Sequence, residues 1–264
     1  MTAPAKKIKP LVAGNWKMNG TGSHLRELRR LYTGLSKQKF GCDVAVCVPA
    51  TLVHRLSTMK FGAKIMTGGQ DCHDAQKGAH TGDVSANMLK DAGAKWVIVG
   101  HSERRAEVKR GGHGETSKLV REKVLAAQMA GLRSIVCVGE TLAERKSGAT
   151  LKVVGAQLRQ SLPDTSSPAD IVIAYEPVWA IGSGLTPSVE QIGAVHAHIR
   201  KALARRFGTA GAAMRILYGG SVKPSNAAEL MAIANVNGAL VGGASLEAAS
   251  LMAIAQSASN NLSH

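Results

Sequence analysis

Three side chains suited to acid–base chemistry, Glu176, His101 and Lys17, each follow a short apolar run. A carboxylate held against apolar walls has a raised pKa, so Glu176 could act as a base near neutral pH. His101 begins a plausible helix start, where the positive helix end keeps an imidazole neutral and able to donate a hydrogen bond to a carbonyl. The Lys17 ammonium could stabilise a developing oxyanion. Together the three side chains predict proton transfer beside a carbonyl group.

Each of these residues also has a commoner interpretation. A glutamate at a turn is often a surface residue, and a histidine at the end of an apolar run is often a core residue bonded to backbone. A lysine beside Trp16 is often simply solvated. The prediction of chemistry therefore depends on whether the fold brings the three side chains together.

Glycine-rich turns follow three apolar runs, one of which is the run that precedes Glu176, and they are suited to binding an anion. They contain Gly182, Ser221 and the pair Gly242-Gly243. Glycine lets backbone N–H groups approach an anion closely, although turns everywhere use glycine. Three such turns at strand ends predict a phosphate site.

No metal or cofactor is predicted from the sequence. His196 and His198 are two residues apart and would face different sides of a helix, and Cys72-His73 has no partners at ligand spacing. A carbonyl substrate also serves as its own electron sink, so the predicted proton transfer requires no cofactor.

Eight apolar, β-branched runs predict the strands that position these residues. Most lack alternation, which is typical of parallel strands buried on both faces. The runs are 11–14, 43–48, 64–67, 95–99, 134–138, 171–175, 215–218 and 239–241.

Helical patterns separate the runs. Ser85 is predicted to cap a helix over 86–91 that stops at Gly93, and Thr186-Pro187 is predicted to start a helix that runs to Gly208. A further apolar stripe ends at Gly131 and consists of Leu119, Val120, Val124, Ala127 and Met129.

Eight strand–helix units without a linker predict an α/β fold, a single (β/α)₈ barrel over residues 1–264, with 1–9 as a short basic N-terminal extension. An open, doubly wound sheet is the alternative. It is disfavoured because neither the G-x-G-x-x-G fingerprint after the first strand nor a P-loop is present. In a barrel, Asn15, Lys17, His101, Glu176 and the glycine turns all reach the carboxyl-terminal rim, where active sites are built.

The amino-acid composition limits which classes of molecule this chain could bind. The formal charge of +15 and the pI near 10.0 favour an anionic ligand. The basic residues occur in short groups and the chain has only nine aromatic residues, so the sequence predicts no nucleic-acid partner.

No apolar run approaches the roughly 20 residues of a membrane span, and the N-terminus lacks a signal-peptide core, so we expect a cytoplasmic chain with no membrane partner. The four cysteines, without paired spacing, are predicted to be reduced and mostly buried.

Six motifs resemble the signatures of the triosephosphate isomerase family, in the family's order, and span about residues 10 to 255. They are Asn-Trp-Lys-Met-Asn-Gly (15–20), Val-Gly-His-Ser-Glu-Arg-Arg (99–105), Cys-Val-Gly-Glu (137–140), Ala-Tyr-Glu-Pro-Val-Trp-Ala-Ile-Gly (174–182), Tyr-Gly-Gly-Ser-Val (218–222) and Val-Gly-Gly-Ala-Ser-Leu (241–246).

The resemblance implies an enzyme that interconverts dihydroxyacetone phosphate and D-glyceraldehyde 3-phosphate, in glycolysis and gluconeogenesis, through an enediolate. It implies Glu176 as base, neutral His101 as proton shuttle and Lys17 as charge stabiliser. Asn15 and Glu103 match supporting polar positions, and residues 177–187 match a mobile lid. The residues matched to substrate binding are Asn15, Lys17, Gly182, Ser221, Gly242 and Gly243.

The resemblance also implies a homodimer through the polar segment 69–83, in which Thr81 matches the tip that supports the partner's Asn and Lys loop. His80 and Asp83 stand where relatives commonly have Phe and Glu, and Ser183 stands where they often have Thr.

Two other functions remain open on the residues alone. A non-catalytic, basic nucleic-acid-binding or scaffold barrel would account for the charge but would leave the rim residues unexplained. A different phosphate-binding barrel, such as a sugar-phosphate epimerase, would lack the Glu-Pro-Val-Trp-Ala-Ile stretch at 176–181.

Overall fold

Eight parallel strands close into a barrel in which each strand pairs with the next and β8 pairs with β1. The computed structural model describes residues 8–37, 39–62, 64–106, 114–182 and 185–261. The predicted (β/α)₈ fold is therefore confirmed. The strands are β1 Leu11–Asn15, β2 Asp43–Cys47, β3 Met66–Gly69, β4 Trp96–Val99, β5 Arg133–Val138, β6 Ile171–Tyr175, β7 Arg215–Tyr218 and β8 Gly238–Val241.

Two strands begin later than their apolar runs predict, β4 by one residue and β3 by two. β3 starts at Met66 rather than at residue 64, because a turn in which the Lys64 N–H donates to the Phe61 carbonyl still occupies the chain there. Gly62 in this turn and Lys60 just before it have φ values of 59° and 55°, in the left-handed region.

Both faces of the strands are buried, which explains the absence of alternation. In β1, Leu11 and Ala13 belong to the cluster that fills the barrel, whereas Val12 packs in the cluster shared with the helices. The barrel-filling cluster consists of Leu11, Ala13, Ala45, Cys47, Trp96, Ile98, Ile135, Cys137, Val172, Ala174, Leu217 and Leu240.

Helices connect the strands, and the described ones are α1 Leu25–Ser36, α2 Ala50–Ser57, α3 Ala86–Asp91, α4 Ser102–Arg105, α5 Ser117–Met129, α6 Leu142–Lys146, α7 Thr150–Ser161, α8 Val189–Ala213, α9 Ala227–Ala232 and α10 Ala248–Asn260. The predicted α3 is confirmed, and the Ser85 hydroxyl accepts a hydrogen bond from the Met88 N–H.

Two helix predictions require correction. Met129 is 71% exposed, because it lies off the buried face of α5 that includes Val124 and Ala127. The helix predicted from Thr186 begins at Val189, because Ser188 caps it by accepting from the Gln191 N–H. Gly208, its predicted end, has a non-helical φ of 60° and is a kink that divides α8 into two helical segments.

The four cysteines are free and buried, as predicted. None of the helices in the described ranges is long and apolar enough to cross a bilayer.

Candidate active site

Two rim residues from non-neighbouring strands, His101 after β4 and Glu176 after β6, meet directly. His101 Nε2 lies 2.9 Å from Glu176 Oε1, and the Ser102 N–H donates to Glu176 Oε2 at 2.9 Å. Glu176 is only 2% exposed. The carboxylate is therefore held at both oxygens in a nearly dry environment.

This pairing reverses the expected pKa direction of Glu176. Burial raises the pKa of Glu176, as expected from the sequence, but the charge of His101, its hydrogen bond and the Ser102 N–H together outweigh burial and lower the pKa. Burial lowers the pKa of His101, and the facing Glu176 carboxylate outweighs that effect and raises it. The expectation of a raised glutamate pKa is wrong for the unliganded site, because the sequence pattern does not reveal that the two groups touch.

The hydrogen bonds of His101 specify its tautomer. The Glu103 N–H, in the first turn of α4, donates to His101 Nδ1 at 3.2 Å. A nitrogen that accepts a hydrogen bond carries no proton, so the ring proton lies on Nε2 and is donated to Glu176. The Nδ1 contact is that of the predicted neutral tautomer, whereas the raised pKa of His101 shows that Glu176 favours a protonated ring as long as the two side chains touch.

Lys17 approaches the same site from the loop after β1. Its Nζ lies 2.6 Å from Glu103 Oε1, and its backbone N–H donates to Asn15 Oδ1 at 3.0 Å. Its φ of 52° is in the left-handed region, which lysine seldom occupies. Asn15 therefore fixes the backbone of the loop at Lys17, and Glu103 pairs with the Lys17 ammonium.

A cavity of about 370 Å³ unites the predicted residues. Lys17, His101 and Glu176 lie on its wall together with all the predicted substrate-binding positions, whereas Glu103 lies outside it. The lining consists of Asn15, Lys17, His101, Glu176, Ile181, Gly182, Gly219, Gly220, Ser221, Val222, Lys223, Leu240, Gly242, Gly243 and Ala244.

The glycine side of the cavity is suited to an anion. Gly243 begins a short 3₁₀ turn over Gly243–Leu246, whose first N–H groups have no partner within the turn and are available to a ligand. Lys223 adds a second ammonium to the lining. The sequence reasoning missed Lys223, although its position two residues after Ser221 was a usable signal.

The segment after Glu176 is anchored at its beginning. Val178–Ala180 form a 3₁₀ turn, and Trp179 Nε1 donates to the buried Glu140 carboxylate at 2.9 Å. Glu140 also accepts from the Tyr175 hydroxyl at 3.2 Å. Gly182 is exposed at the cavity, whereas Ser183, the position at which relatives often have Thr, lies outside the described residues.

Gly139 is a positioning residue that sequence reasoning did not identify as such. A Cβ atom at this position would lie 1.7 Å from the Glu176 carbonyl oxygen, which excludes any other residue without displacement of the backbone. Gly219 approaches the other side, where a Cβ atom would lie 2.9 Å from Glu176 Cγ. The only signal was that both glycines occur within the family-like motifs.

One group of potential metal ligands among the described residues lies apart from this cavity. Ligand atoms of His73, His80 and Asp83 are within 4.8 Å of one another, a grouping the sequence analysis missed. However, His73 Nδ1 accepts from the Ala75 N–H, so its proton is on Nε2, which faces Asp83 at 3.6 Å. Coordination through Nε2 would require the proton to move to Nδ1, and the geometry is that of a hydrogen-bonded loop.

Comparisons with known proteins agree over nearly the whole chain. Residues 10–258 match the family model described as Triosephosphate isomerase. Relatives named triosephosphate isomerase from Bradyrhizobium diazoefficiens and Brucella abortus are each 55% identical, covering 94% and 96% of this chain and 97% and 98% of theirs. The crystal structure of triosephosphate isomerase from Bartonella henselae superposes with a TM-score of 0.87 at 50% identity, covering 95% of this chain and 99% of that one. The chain belongs to the triosephosphate isomerase family.

Proposed function

We propose that Glu176, His101 and Lys17 carry out the family's reaction, the interconversion of dihydroxyacetone phosphate and D-glyceraldehyde 3-phosphate. Family membership makes the chain an aldose–ketose isomerase with a phosphorylated triose as substrate, a step of glycolysis and gluconeogenesis. It gives no support to a non-catalytic nucleic-acid-binding or scaffold barrel. The observation that carries the assignment of roles is the direct contact of His101 with Glu176 in a cavity that Lys17 also lines.

Glu176 acts as the base. When the substrate enters, its reacting carbons separate Glu176 from His101, and the carboxylate takes a proton from the carbon next to the carbonyl. The C–H electron pair forms the enediolate, and the same carboxylate returns the proton to the neighbouring carbon. The Ser102 N–H holds one carboxylate oxygen, which leaves the other free for the transfer.

His101 works as a neutral acid. Its Nε2–H, donated to Glu176 in the unliganded site, is transferred to the carbonyl oxygen of the substrate, and the ring then accepts the proton of the other oxygen. Moving the Glu176 charge away removes the main influence that raises the pKa of His101. A neutral histidine and a closing lid are established features of the family as a whole, so these roles extend a known mechanism to this chain.

The rest of the site stabilises the charge of the intermediate and encloses it. Lys17 and Asn15 stabilise the enediolate oxygens, while backbone N–H groups around Gly182, Ser221, Gly242 and Gly243 bind the phosphate. The segment 177–187 covers the intermediate and keeps it from losing phosphate to water. These steps need no cofactor or metal, because the carbonyl of the substrate itself takes up the electron pair.

The test is Glu176→Gln, because an amide cannot accept the proton from carbon. We expect a folded protein whose kcat is lower by at least ~10²–10⁴-fold in a coupled turnover assay. Glu122→Gln on the exposed face of α5 is the matched control and should keep full activity. Near-normal kcat in Glu176→Gln would refute the assignment.

We also propose a cytoplasmic homodimer in which a single domain spans residues 1–264 and the segment 69–83 meets the partner. A second cavity of about 340 Å³ beside Lys17, lined by Met18 and Gln70 among others, offers room for a partner's loop. Met18 is 97% exposed, an apolar side chain that a partner would cover. Free, buried cysteines suit a reducing compartment.

A further inference from the structure

The two N–H groups that orient the proposed base and acid come from one very short helix. The Ser102 N–H donates to Glu176 at 2.9 Å. The Glu103 N–H donates to His101 Nδ1 at 3.2 Å. Both donors lie in the first turn of α4, which has only the four residues Ser102–Arg105. A helix this short is not stable on its own, because nucleating a turn costs more than its few hydrogen bonds return. Contacts from outside the helix therefore have to hold it in place.

Arg105, the last residue of α4, makes such contacts with four partners. Its Nε donates to the Gly100 carbonyl at 2.8 Å, and its Nη2 donates to the Cys137 carbonyl at 3.1 Å. Its Nη1 donates to the Ser117 hydroxyl at 3.1 Å, and its Nη2 also donates to the Ser161 hydroxyl at 3.2 Å. One guanidinium thus fastens α4 to the end of β4, to β5, to the start of α5 and to the end of α7.

The two carbonyl acceptors belong to the chain segments that carry the proposed acid and position the proposed base. Gly100 directly precedes His101. Cys137 directly precedes Val138, whose carbonyl accepts the backbone N–H of Glu176 at 2.8 Å. A planar guanidinium presents its N–H groups in a rigid fork, so it fixes both the distance and the direction between its acceptors. The fork is therefore placed to set the position of α4 relative to both side chains.

Charge pairing does not explain why this arginine is partly buried. The adjacent Arg104 pairs with Asp71 and Glu115. Arg105 takes part in none of the ion pairs found between the described residues. Burial lowers the pKa of Arg105, while the charge of the Glu176 carboxylate acts in the opposite direction. A buried cation without a carboxylate partner costs free energy, which the four hydrogen bonds offset. The arrangement therefore contributes a fixed geometry rather than an ion pair.

We propose that Arg105 is a positioning residue for the isomerase reaction, because it holds α4 where its first two N–H groups meet Glu176 and His101. The inference rests on the proposed function, in which these two side chains are the base and the acid. Arg105 does not line the cavity of the candidate active site, so it acts through α4. Without the fork α4 shifts, and a misplacement of about 1 Å costs roughly 10²-fold in rate.

The test is Arg105→Lys, which keeps the charge and most of the stem but lacks the planar fork. We expect kcat to fall by about 10- to 10²-fold. KM should change by less than about threefold, because the proposed phosphate contacts are untouched. NMR of the imidazole nitrogens, at a pH where the His101 ring is neutral, gives a second measurement. The unmodified chain should show the proton on Nε2, and the variant should show a mixture of both tautomers, because the Glu103 N–H is no longer held against Nδ1.

Arg206→Lys is the matched control, because Arg206 also bridges two backbone carbonyls. Its Nη1 donates to the Arg159 carbonyl at 2.9 Å, and its Nη2 donates to the Leu162 carbonyl at 2.8 Å, both outside the candidate active site. This variant should lose some stability and keep the kcat and the His101 signals of the unmodified chain. An Arg105→Lys variant that behaves in the same way would overturn the inference, since Arg105 would then only stabilise the fold.

Two further variants separate the remaining outcomes. Ser117→Ala removes one acceptor of the guanidinium and provides the test if Arg105→Lys does not fold. Its kcat should be lower by about threefold, and an unchanged kcat would contradict the positioning role. Full activity in Glu176→Gln would refute the proposed function itself. An inactive Glu176→Gln together with a fully active Arg105→Lys would refute the role of Arg105 alone.

Discussion

At the scale of single residues, the unliganded site holds the proposed base and the proposed acid in direct contact. Glu176 and His101 share a hydrogen bond in a buried position, which lowers the pKa of the one and raises that of the other. In the proposed mechanism, the substrate has to separate the two side chains before either can act on it. Part of the binding free energy is therefore used to break a contact that the free protein already makes.

Lys17→Met should impair catalysis far more than folding, because the stem can still pack while the ammonium is lost. We expect kcat to fall by about 10²–10³-fold, as on removal of one oxyanion-stabilising group. Steady-state kinetics and thermal unfolding of the same sample check this. Lys201→Met on α8 serves as the control, and retention of half the activity in Lys17→Met would make Lys17 a surface residue.

His196 should make the protein less stable in mild acid. Burial lowers its pKa to about 4, against the opposing hydrogen bond to the Asn235 carbonyl. Because the unfolded chain has the ordinary value of about 6.5, it binds the proton first, and stability is lost as the pH falls from about 6.5 towards 4. Between pH 7 and pH 5 this residue should account for a loss of about 2 kcal/mol in the free energy of unfolding.

Urea unfolding of His196→Gln at the two pH values measures that contribution. The variant should lose about 2 kcal/mol less than the unmodified chain over the same interval. His54→Gln, at an exposed position of α2, should keep the full pH dependence. The explanation fails if His196→Gln and the unmodified chain show the same dependence.

At the scale of elements, the ends of β5 and β6 are packed so closely that the backbone of Glu176, the proposed base, has no freedom to shift. The Glu176 N–H donates to the Val138 carbonyl at 2.8 Å, and Gly139 leaves no space above the Glu176 carbonyl. Glu140 follows Gly139 in the chain, and its carboxylate accepts a hydrogen bond from Trp179 in the segment 177–187. A single strand end thus positions the backbone of the base and the beginning of the lid.

Gly139→Ala tests this packing. The added methyl has to move the Glu176 carbonyl by more than about 1 Å to reach an ordinary contact, and we expect a cost of about 1–3 kcal/mol in stability. Misplacing the base by about 1 Å should lower kcat by roughly 10²-fold. Gly193→Ala in α8, where a Cβ atom would lie 3.6 Å from Ile233, is the control and should be stabilising and fully active. Unchanged kcat in Gly139→Ala would show that Glu176 tolerates the shift.

At the scale of the whole molecule, charge is distributed over both ends of the barrel. The net +15 far exceeds what a small phosphorylated substrate requires. Lys17 and Lys223 line the cavity at the carboxyl-terminal end, whereas Lys60, Lys95 and Arg133 line the one at the opposite end. Basic side chains therefore lie at both ends of the barrel, and only those at the carboxyl-terminal end line the candidate active site.

Assembly should be required for activity. We expect sedimentation velocity to show a dimer whose activity falls on dilution as it dissociates. Thr81→Arg at the exposed loop tip should favour the monomer and lower kcat, because the partner's Lys17 loop loses its support. Thr209→Arg on α8 adds the same side chain away from the proposed contact and should remain dimeric. A fully active Thr81→Arg monomer would show that each barrel holds its own Lys17.

The order of apolar runs and motifs was enough to predict that Lys17, His101 and Glu176 reach one rim, because parallel strands closed into a barrel bring all their carboxyl ends to one face. The contact of His101 with Glu176, the resulting pKa directions and the absence of space at Gly139 became visible only in the folded chain. The four contacts of the Arg105 guanidinium were likewise invisible in the sequence. Local patterns set strand ends and side-chain faces, whereas distances between groups some 75 residues apart depend on how the barrel closes.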